Sequence, residues 1–425
     1  MKRNVDIIYF TLFRWKSEFS SISHAFGKEL AKQGARVFYI GHPFTYKYLL
    51  SSDTRGQLNG SLTQALKLQE EKVENVSPDF HSMITPLVAP INWLPPGKLY
   101  NYYLQRNEDK IRAAIDEIID TYDIKEYIFI NCFNPFFPYV ASKKLPPLIN
   151  IYQSVDDISQ NAYTLRHGYE LEKKIARAAD MILVTSTNLK EIMSQYNKEI
   201  EILHNAADVD NFSRAMTDSF EKPAELEHIS GDIIGFTGAL DPLRINYELL
   251  TAIADKYPDK TLLLVGPYQE ELVEASGLSN RDNVVLTGSK HISVLPSYVH
   301  FMDTLIIPFN CNQLTKSIYP LKINEYLASG RSVISTNFSI DITGFKDVIH
   351  LVDSDESFLE IIPTALQDKS PAAMQARIDK ARTNTWEKRV EQFWQIINRQ
   401  LNIDDGLENN PKFATKKSSK IDELT

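Results

Sequence analysis

Apolar residues come along this chain in short β-branched runs, each followed by a stretch in which they recur every three or four positions. "VDIIYFTL" precedes "SISHAFGKELAKQG"; "RVFYIG", "EYIFINCF" and "LINIYQSV" follow, and "GYELEKKIARAA" runs into "DMILVTS". This alternation predicts strands buried on both faces of a parallel sheet, with helices between them, in one doubly wound α/β domain over residues 1–205. The rhythm restarts with "DIIGFTGAL", "NYELLTAIADKYP", "KTLLLVGP", "NVVLTG", "DTLIIPF", "SVIST" and "DVIHLV". A second domain of the same kind is therefore expected over 206–384. The predicted fold class is α/β, two Rossmann-like domains facing each other across a cleft between the carboxyl ends of their strands. In "TWEKRVEQFWQIINRQL", Trp386, Val390, Phe393, Trp394 and Ile397 share one helical stripe, which predicts a packed helix over about 385–402. The polar end, 403–425, is expected to be disordered. Between about 43 and 100 lie "HPFTYKYLL" and "INWLPPGKLYNYYLQR". No strand pattern is evident there, and a loop of that length is expected to be functional.

Composition sets outer limits. The chain has 425 residues, 43% hydrophobic and 11% aromatic, enough for two or three well-packed cores. The formal charge is −9 and uneven: residues 1–205 carry 24 Lys/Arg against 23 Asp/Glu, the remainder 22 against 32. That balance argues against nucleic acid as a partner. Cys132 and Cys311 both stand in apolar, strand-like context, so buried free thiols in a reducing cytoplasm are expected rather than a disulfide. The opening "MKRNVDIIYFTLFRW" is interrupted by Arg14 and lacks a small-residue cleavage site, so it reads as a first strand rather than a secretory signal. No run approaches the roughly 18 apolar residues of a membrane-spanning helix.

Familiar catalytic signatures are missing: no GxGxxG, GxxxxGK[ST], HExxH, CxxC or GxSxG occurs, and the nine histidines lack ligand spacing. No metal site is expected. The informative stretch is "SIYPLKINEYLASGRSVISTN", residues 317–337. Pro320 suits a first helical position, Ile323, Tyr326 and Leu327 form an apolar face, and Gly330 supplies the stop. A helix beginning at the cleft offers unpaired N–H groups and the positive end of its dipole to a phosphate, with Lys322 adding a charge. Glu325, one turn further, can accept hydrogen bonds from the two hydroxyls of a ribose. Phosphate and ribose side by side describe a nucleotide; the competing explanation is an ordinary exposed i,i+3 ion pair.

Two other places carry candidate chemistry. "YQSVDDIS" ends a strand with adjacent carboxylates, and one of Asp156 and Asp157 is expected to face the cleft, meeting a sugar hydroxyl or the acceptor. A cap on the following helix explains either Asp equally well. Trp15, Ser20 and Ser21 close the first strand-to-helix turn, where the hydroxyls could meet donor or acceptor; core packing explains Trp15 as well.

Several segments then line up with one family. "PLKINEYLASGRSVIST" resembles the PLKxxEYLAxGxPVxxT segment of GT-B glycosyltransferases of family four, in particular the branch of teichuronic-acid-type and exopolysaccharide transferases. "IGFTGALDPLRINYELLTAIADKYPDKTLLLVGP", "NVVLTGSKHISVLPSYVHFMDTLIIPF", "EILHNAADVDNF" and, in the first domain, "YQSVDDIS" are similar in the same order. The resemblance implies transfer of a sugar, with retention and without a metal or other cofactor, from a nucleotide-diphosphate donor to a glycan or lipid-linked acceptor in cell-surface polysaccharide synthesis. It implies that Glu325 holds the ribose, that Lys322 and the Leu321 backbone hold the diphosphate, that Gly238 and Arg244 belong to a tight donor loop, and that Thr287, Gly288 and His291 lie near the base. Three departures are visible: Ser317 stands where the family's first Glu would, an Arg–Lys pair is reduced to Arg244, and His204 and Ala206 flank Asn205 in place of Pro and Gly. A sugar-nucleotide epimerase of the same fold and a non-catalytic nucleotide-sugar-binding protein are the alternatives. Near-neutral charge in the first half, with the aromatic, Lys-bearing stretch 92–106, suggests peripheral contact with the inner face of a membrane.

Overall fold

The computed structural model describes residues 5–15, 22–49, 73–160 and 162–401. In the first domain β1 (Asp6–Thr11), α1 (Ile22–Lys32), β2 (Arg36–Ile40), β3 (Val73–Ser77), β4 (Phe80–Met83), α2 (Lys98–Thr121), β5 (Tyr127–Cys132), β6 (Ile149–Ser154), α3 (Gly168–Ala178), β7 (Met181–Val184), α4 (Thr187–Met193) and β8 (Ile200–Ile202) build a sheet of order β3-β4-β2-β1-β5-β6-β7-β8. All neighbours are parallel except β3 and β4. The central parallel strands are mostly buried, Ile7, Ile8, Tyr9 and Phe10 completely, because helices cover both faces.

The second domain begins with α5 (Val209–Thr217) and carries β9 (Ile233–Thr237), β10 (Thr261–Val265), β11 (Val284–Leu286), β12 (Thr304–Ile307), α6 (Leu321–Ala328), β13 (Ser332–Thr336) and β14 (His350–Val352). Its six strands are all parallel, in the order β11-β10-β9-β12-β13-β14. The chain reverses winding between β1 and β5 in one sheet and between β9 and β12 in the other. Open α/β sheets present their ligand crevice just beyond the strand ends at such reversals, so topology alone directs attention to the loops after those four strands.

α7 (Trp386–Gln400) returns to the first domain. Its Val390, Phe393, Ile396 and Ile397 lie in one core with Ile7, Phe26 and Leu30, and the Phe26 and Phe393 rings meet edge-on at 5.4 Å. The two domains are joined along one side. Ser186 and Asn188, at the start of α4, donate to the Ser317 carbonyl and hydroxyl, both at 2.7 Å, and Thr187 donates twice to Asp341, at 2.9 and 2.6 Å. His204 stacks on Tyr319 at 4.3 Å.

Three sequence-based expectations are corrected here. The 43–100 segment contains β3 and β4, an antiparallel edge pair with a bulge at Asn75–Ser77. "VENVS" is too polar and too exposed to announce itself as a strand. Cys132 is buried but Cys311 is exposed, in the loop after β12. Pro320 is the N-cap of α6 rather than its first helical residue. The predicted tail, 403–425, lies outside the described residues.

Candidate active site

α6 is built to hold one polar edge against the end of β9. Ile323, Tyr326, Leu327 and Ala328 are completely buried. The Tyr326 hydroxyl accepts from the Thr237 backbone N–H at 2.9 Å, fixing the helix to the last residue of β9. Lys322 stands one turn before Tyr326 on the same face. Its ammonium comes to rest on Gly238, which turns the chain away with φ +140°; a Cβ at Gly238 would lie 2.4 Å from Lys322 Nζ. Gly266, at the end of β10, backs this turn so closely that a Cβ there would lie 2.0 Å from the Gly238 carbonyl oxygen. Gly238 was anticipated from sequence; Gly266 was missed, although both follow a strand directly.

Glu325 is 8% exposed, beside Lys322 on the helix surface. The two make no ion pair with each other, and neither side chain hydrogen-bonds or ion-pairs with any other described residue. The surface ion-pair explanation is thereby set aside. Burial pushes the Glu325 carboxyl up to about 7 despite the opposing pull of Lys322, with Asp208 adding to the rise. Burial likewise pushes the Lys322 ammonium down, against the field of Glu325. Two ionisable groups withdrawn from water without partners are costly to a fold, and a ligand that supplies phosphate oxygens and hydroxyls would relieve both. Leu321 is the first residue of α6, so its N–H belongs to the unpaired first turn.

The adjacent carboxylates are separated by the structure. Asp157 is absorbed locally: its Oδ1 accepts from the Ser159 N–H at 3.0 Å and hydroxyl at 2.6 Å, capping the turn Ile158–Gln160. Asp156 instead reaches across to the second domain, where Arg244 Nη2 donates to its Oδ2 at 3.2 Å. Burial raises the Asp156 carboxyl, and the Arg244 guanidinium works against that rise. Arg244 is placed by its own loop, its N–H bonded to the Asp241 carbonyl and its carbonyl to the Asn310 N–H. Lys322, Glu325, Gly238, Arg244 and Asp156 thus converge on the crevice that the strand reversals define.

The other expected residues have these places. Thr287 and Gly288 follow β11 on the same sheet edge, Thr287 N–H bonding to the Leu264 carbonyl. His291 is exposed and caps the turn Ile292–Val294 through Ser293. Trp15 packs on Phe80 (4.6 Å), His24 (5.1 Å) and Tyr39 (5.5 Å), as a wall of the first domain. Ser20 and Ser21 lie outside the described residues. Ser317 is completely buried in the junction between the domains. Among the described residues no three His, Cys, Asp or Glu side chains group as metal ligands, and no helix is long and apolar enough to cross a membrane.

A cavity opens beyond β1, β2 and β5, and much of its lining comes from the 43–100 segment expected to be functional, although none of its residues was singled out from sequence as a binding residue. It has a volume of about 580 Å³ and is walled by His42, Asn92, Trp93, Tyr100, Phe136 and Tyr163. Asn107 shapes it from α2 by a double hydrogen bond to the Ala89 backbone, at 2.9 and 3.0 Å. "GHPF" immediately after β2 was the available signal, a polar break where a strand meets the crevice.

Two Rossmann-like domains that face each other across a crevice make the GT-B fold. The chain has that fold, and residues 231–368 match the family described as Glycosyl transferases group 1. A Bacillus subtilis (strain 168) protein, TuaH, named as a teichuronic acid biosynthesis glycosyltransferase, is 28% identical over 171 residues, which span 39% of this chain and 42% of that relative. The fold is shared with an α,α-trehalose-phosphate synthase (UDP-forming) of Burkholderia vietnamiensis (TM-score 0.67, 11% identity, 93% of this chain and 99% of that one). It is shared as well with sucrose-phosphate synthase of Thermosynechococcus elongatus (TM-score 0.63, 16% identity, 94% and 100%). HepE of Anabaena, solved in complex with UDP, aligns over 93% and 100% with TM-score 0.57 and 11% identity.

Proposed function

We propose that the protein is a retaining glycosyltransferase that moves a sugar from a nucleotide-diphosphate donor to an acceptor hydroxyl in polysaccharide or glycan synthesis. The observation that carries this reading is the pair at the head of α6, Lys322, half-buried, and Glu325, buried, neither of which has a hydrogen-bond or ion-pair partner among the described residues. Lys322 and the first N–H groups of α6 bind the diphosphate, and Glu325 accepts from the ribose hydroxyls. Negative charge grows on the leaving diphosphate in the transition state, so the same groups assist departure without a metal. Asp156 meets a hydroxyl of the transferred sugar, and the first-domain cavity takes the acceptor. The resemblance in family segments and the UDP complex of the Anabaena neighbour support a nucleotide-sugar donor.

Peripheral membrane contact belongs to the same proposal. Trp93 (68% exposed), Leu99, Tyr102, Tyr103, Tyr163 and Leu165 project from one corner of the first domain, and Lys98 and Arg106 stand among them. Aromatic and basic side chains together suit an anionic bilayer surface.

The test is a thermal-shift panel of UDP-, GDP-, dTDP- and ADP-sugars on the purified protein, followed by turnover in EDTA. A matching donor at 100 times its Kd should stabilise by about 2.7 kcal/mol. No shift with any donor, or activity restored only by Mn²⁺ or Mg²⁺, would count against the proposal as stated. Failure to sediment with anionic liposomes would remove the membrane part alone.

A further inference from the structure

Sugar transfer as proposed leaves the acceptor's chemistry open, and assigning that chemistry to the first-domain cavity rests on the glycosyltransferase reading. The 580 Å³ cavity has three cationic side chains on its lining, Arg14, Lys47 and Arg166, and no Asp or Glu among its described lining residues. In a chain whose net charge is −9, that imbalance does not follow from composition. Arg14 is fixed, donating through Nε to the His42 carbonyl at 2.9 Å and through Nη2 to the Pro43 carbonyl at 3.2 Å, over the Phe44 ring. Arg166 ties two walls together by donating to the Trp93 carbonyl at 2.7 Å, and neither it nor Lys47 meets a carboxylate among the described residues.

The rest of the lining is made for a ring bearing hydroxyls. Trp93 and Tyr163, both exposed, offer aromatic surface on which the C–H face of a pyranose can lie, and the nearly buried Tyr100 and Phe136 close the wall behind them. The Asn92 Oδ1 is buried with no hydrogen-bond partner, an acceptor in need of a donor. Asn134 donates through Nδ2 to the Thr11 carbonyl, so its Oδ1 is the atom facing His42 Nδ1 at 3.3 Å. Nδ1 therefore carries the proton and Nε2 presents a lone pair. Burial and the nearby Arg14 guanidinium push His42 down to about 3, so it remains neutral and adds no charge to the three cations.

We propose that this cavity binds an acceptor saccharide carrying an anionic group, a phosphate ester or a carboxylate, with its ring on the aromatic wall and its charge at Arg166 and Lys47. Charge-assisted bonds to Arg and Lys are strong enough to make the anion decisive for affinity. A neutral sugar would use the aromatic wall and leave the cations unanswered.

The experiment is calorimetric titration of the full chain with glucose, galactose and mannose, their 6-phosphates and their uronic acids, alongside inorganic phosphate and UDP. The expected result is that at least one charged member binds about tenfold or more tightly than its neutral parent, the scale of one charge-assisted hydrogen bond. Arg166→Gln and Lys47→Gln should shrink that preference while UDP affinity stays the same. Phosphate esters and uronic acids, compared directly, show which anion is preferred. Equal binding of charged and neutral sugars would overturn the proposal. So would inorganic phosphate binding as tightly as any sugar phosphate, a preference that survives both variants, or no charged sugar binding to protein that binds UDP. Loss of UDP binding with charged-sugar binding intact would instead sink the donor reading and leave the pocket standing.

Discussion

The Lys322 ammonium occupies the space that a side chain at Gly238 would need: a Cβ there would stand 2.4 Å from Nζ and 2.6 Å from Cε. Gly238→Ala must displace the cation as well as strain a turn at φ +140°. The protein should lose roughly 1–3 kcal/mol of stability and bind the preferred nucleoside diphosphate more weakly. Affinity for the bare nucleoside should be little changed. Calorimetry with both ligands checks this, and undiminished diphosphate affinity would show that the ammonium does not serve a phosphate.

Lys322 and Glu325 should fail in different ways. Lys322→Ala should weaken the diphosphate, spare the nucleoside and slow turnover. Glu325→Gln should weaken both ligands by about 1.5–3 kcal/mol, the range for a hydrogen bond to a charged group. The carboxylate is the competent form, and burial has raised its titration to about 7. Nucleoside affinity should therefore fall as pH drops through 7, and Glu325→Gln should flatten that profile. Normal binding and turnover in Glu325→Gln would remove the nucleotide-site reading.

Arg244 and Asp156, 3.2 Å apart, come from different domains. Arg244→Gln removes the charge that holds Asp156 down against burial, so the Asp156 carboxyl should titrate at higher pH. The acidic limb of the kcat/KM profile should move up in the variant. An unmoved limb would mean that the contact plays no part in the chemistry.

Glu172 offers a stability test away from the crevice. The Tyr152 hydroxyl donates to its Oε1 at 2.5 Å, and burial pushes the carboxyl up to about 8 from an ordinary value of 4.5. The native state keeps this proton where the unfolded chain has lost it. Its contribution therefore opposes folding increasingly as pH rises from about 4.5 to about 8. Urea unfolding across that window should show stability falling less steeply in Glu172→Gln than in the wild type. Burial also raises Glu108, to about 7, so the difference between the two curves is the quantity to read. Parallel curves would mean that Glu172 is already ionised in the folded protein.

Most strands were legible because a parallel strand covered on both faces must be apolar at nearly every position, as "TLII" and "MILV" are. β3 escaped notice because an edge strand needs little apolar surface and "VENVS" has almost none, and β4 because "FHSM" is short and half polar although all four residues are buried. The helix head was legible too, since Lys322, Glu325 and Gly330 lie within a few residues and their placement on the helix follows from helix geometry. The partners of Arg244 and Asp156 were not, because 88 positions separate them along the chain.

The order of strands and helices, the two-domain division and the charged head of α6 were thus determined locally, by burial pattern and helix geometry acting over ten or so residues. Which member of a local set faces the crevice was decided by tertiary packing. Asp156 and Asp157 are chemically identical neighbours, and only the approach of Arg244 on one side and the turn Ile158–Gln160 on the other tells them apart. The charge of the first-domain cavity was likewise beyond the sequence, since Arg14 and Lys47 follow β1 and β2 while Arg166 stands just before α3, and only the fold brings the three together. Such contacts depend on chain closure over long separations, and no local pattern of residues encodes their outcome.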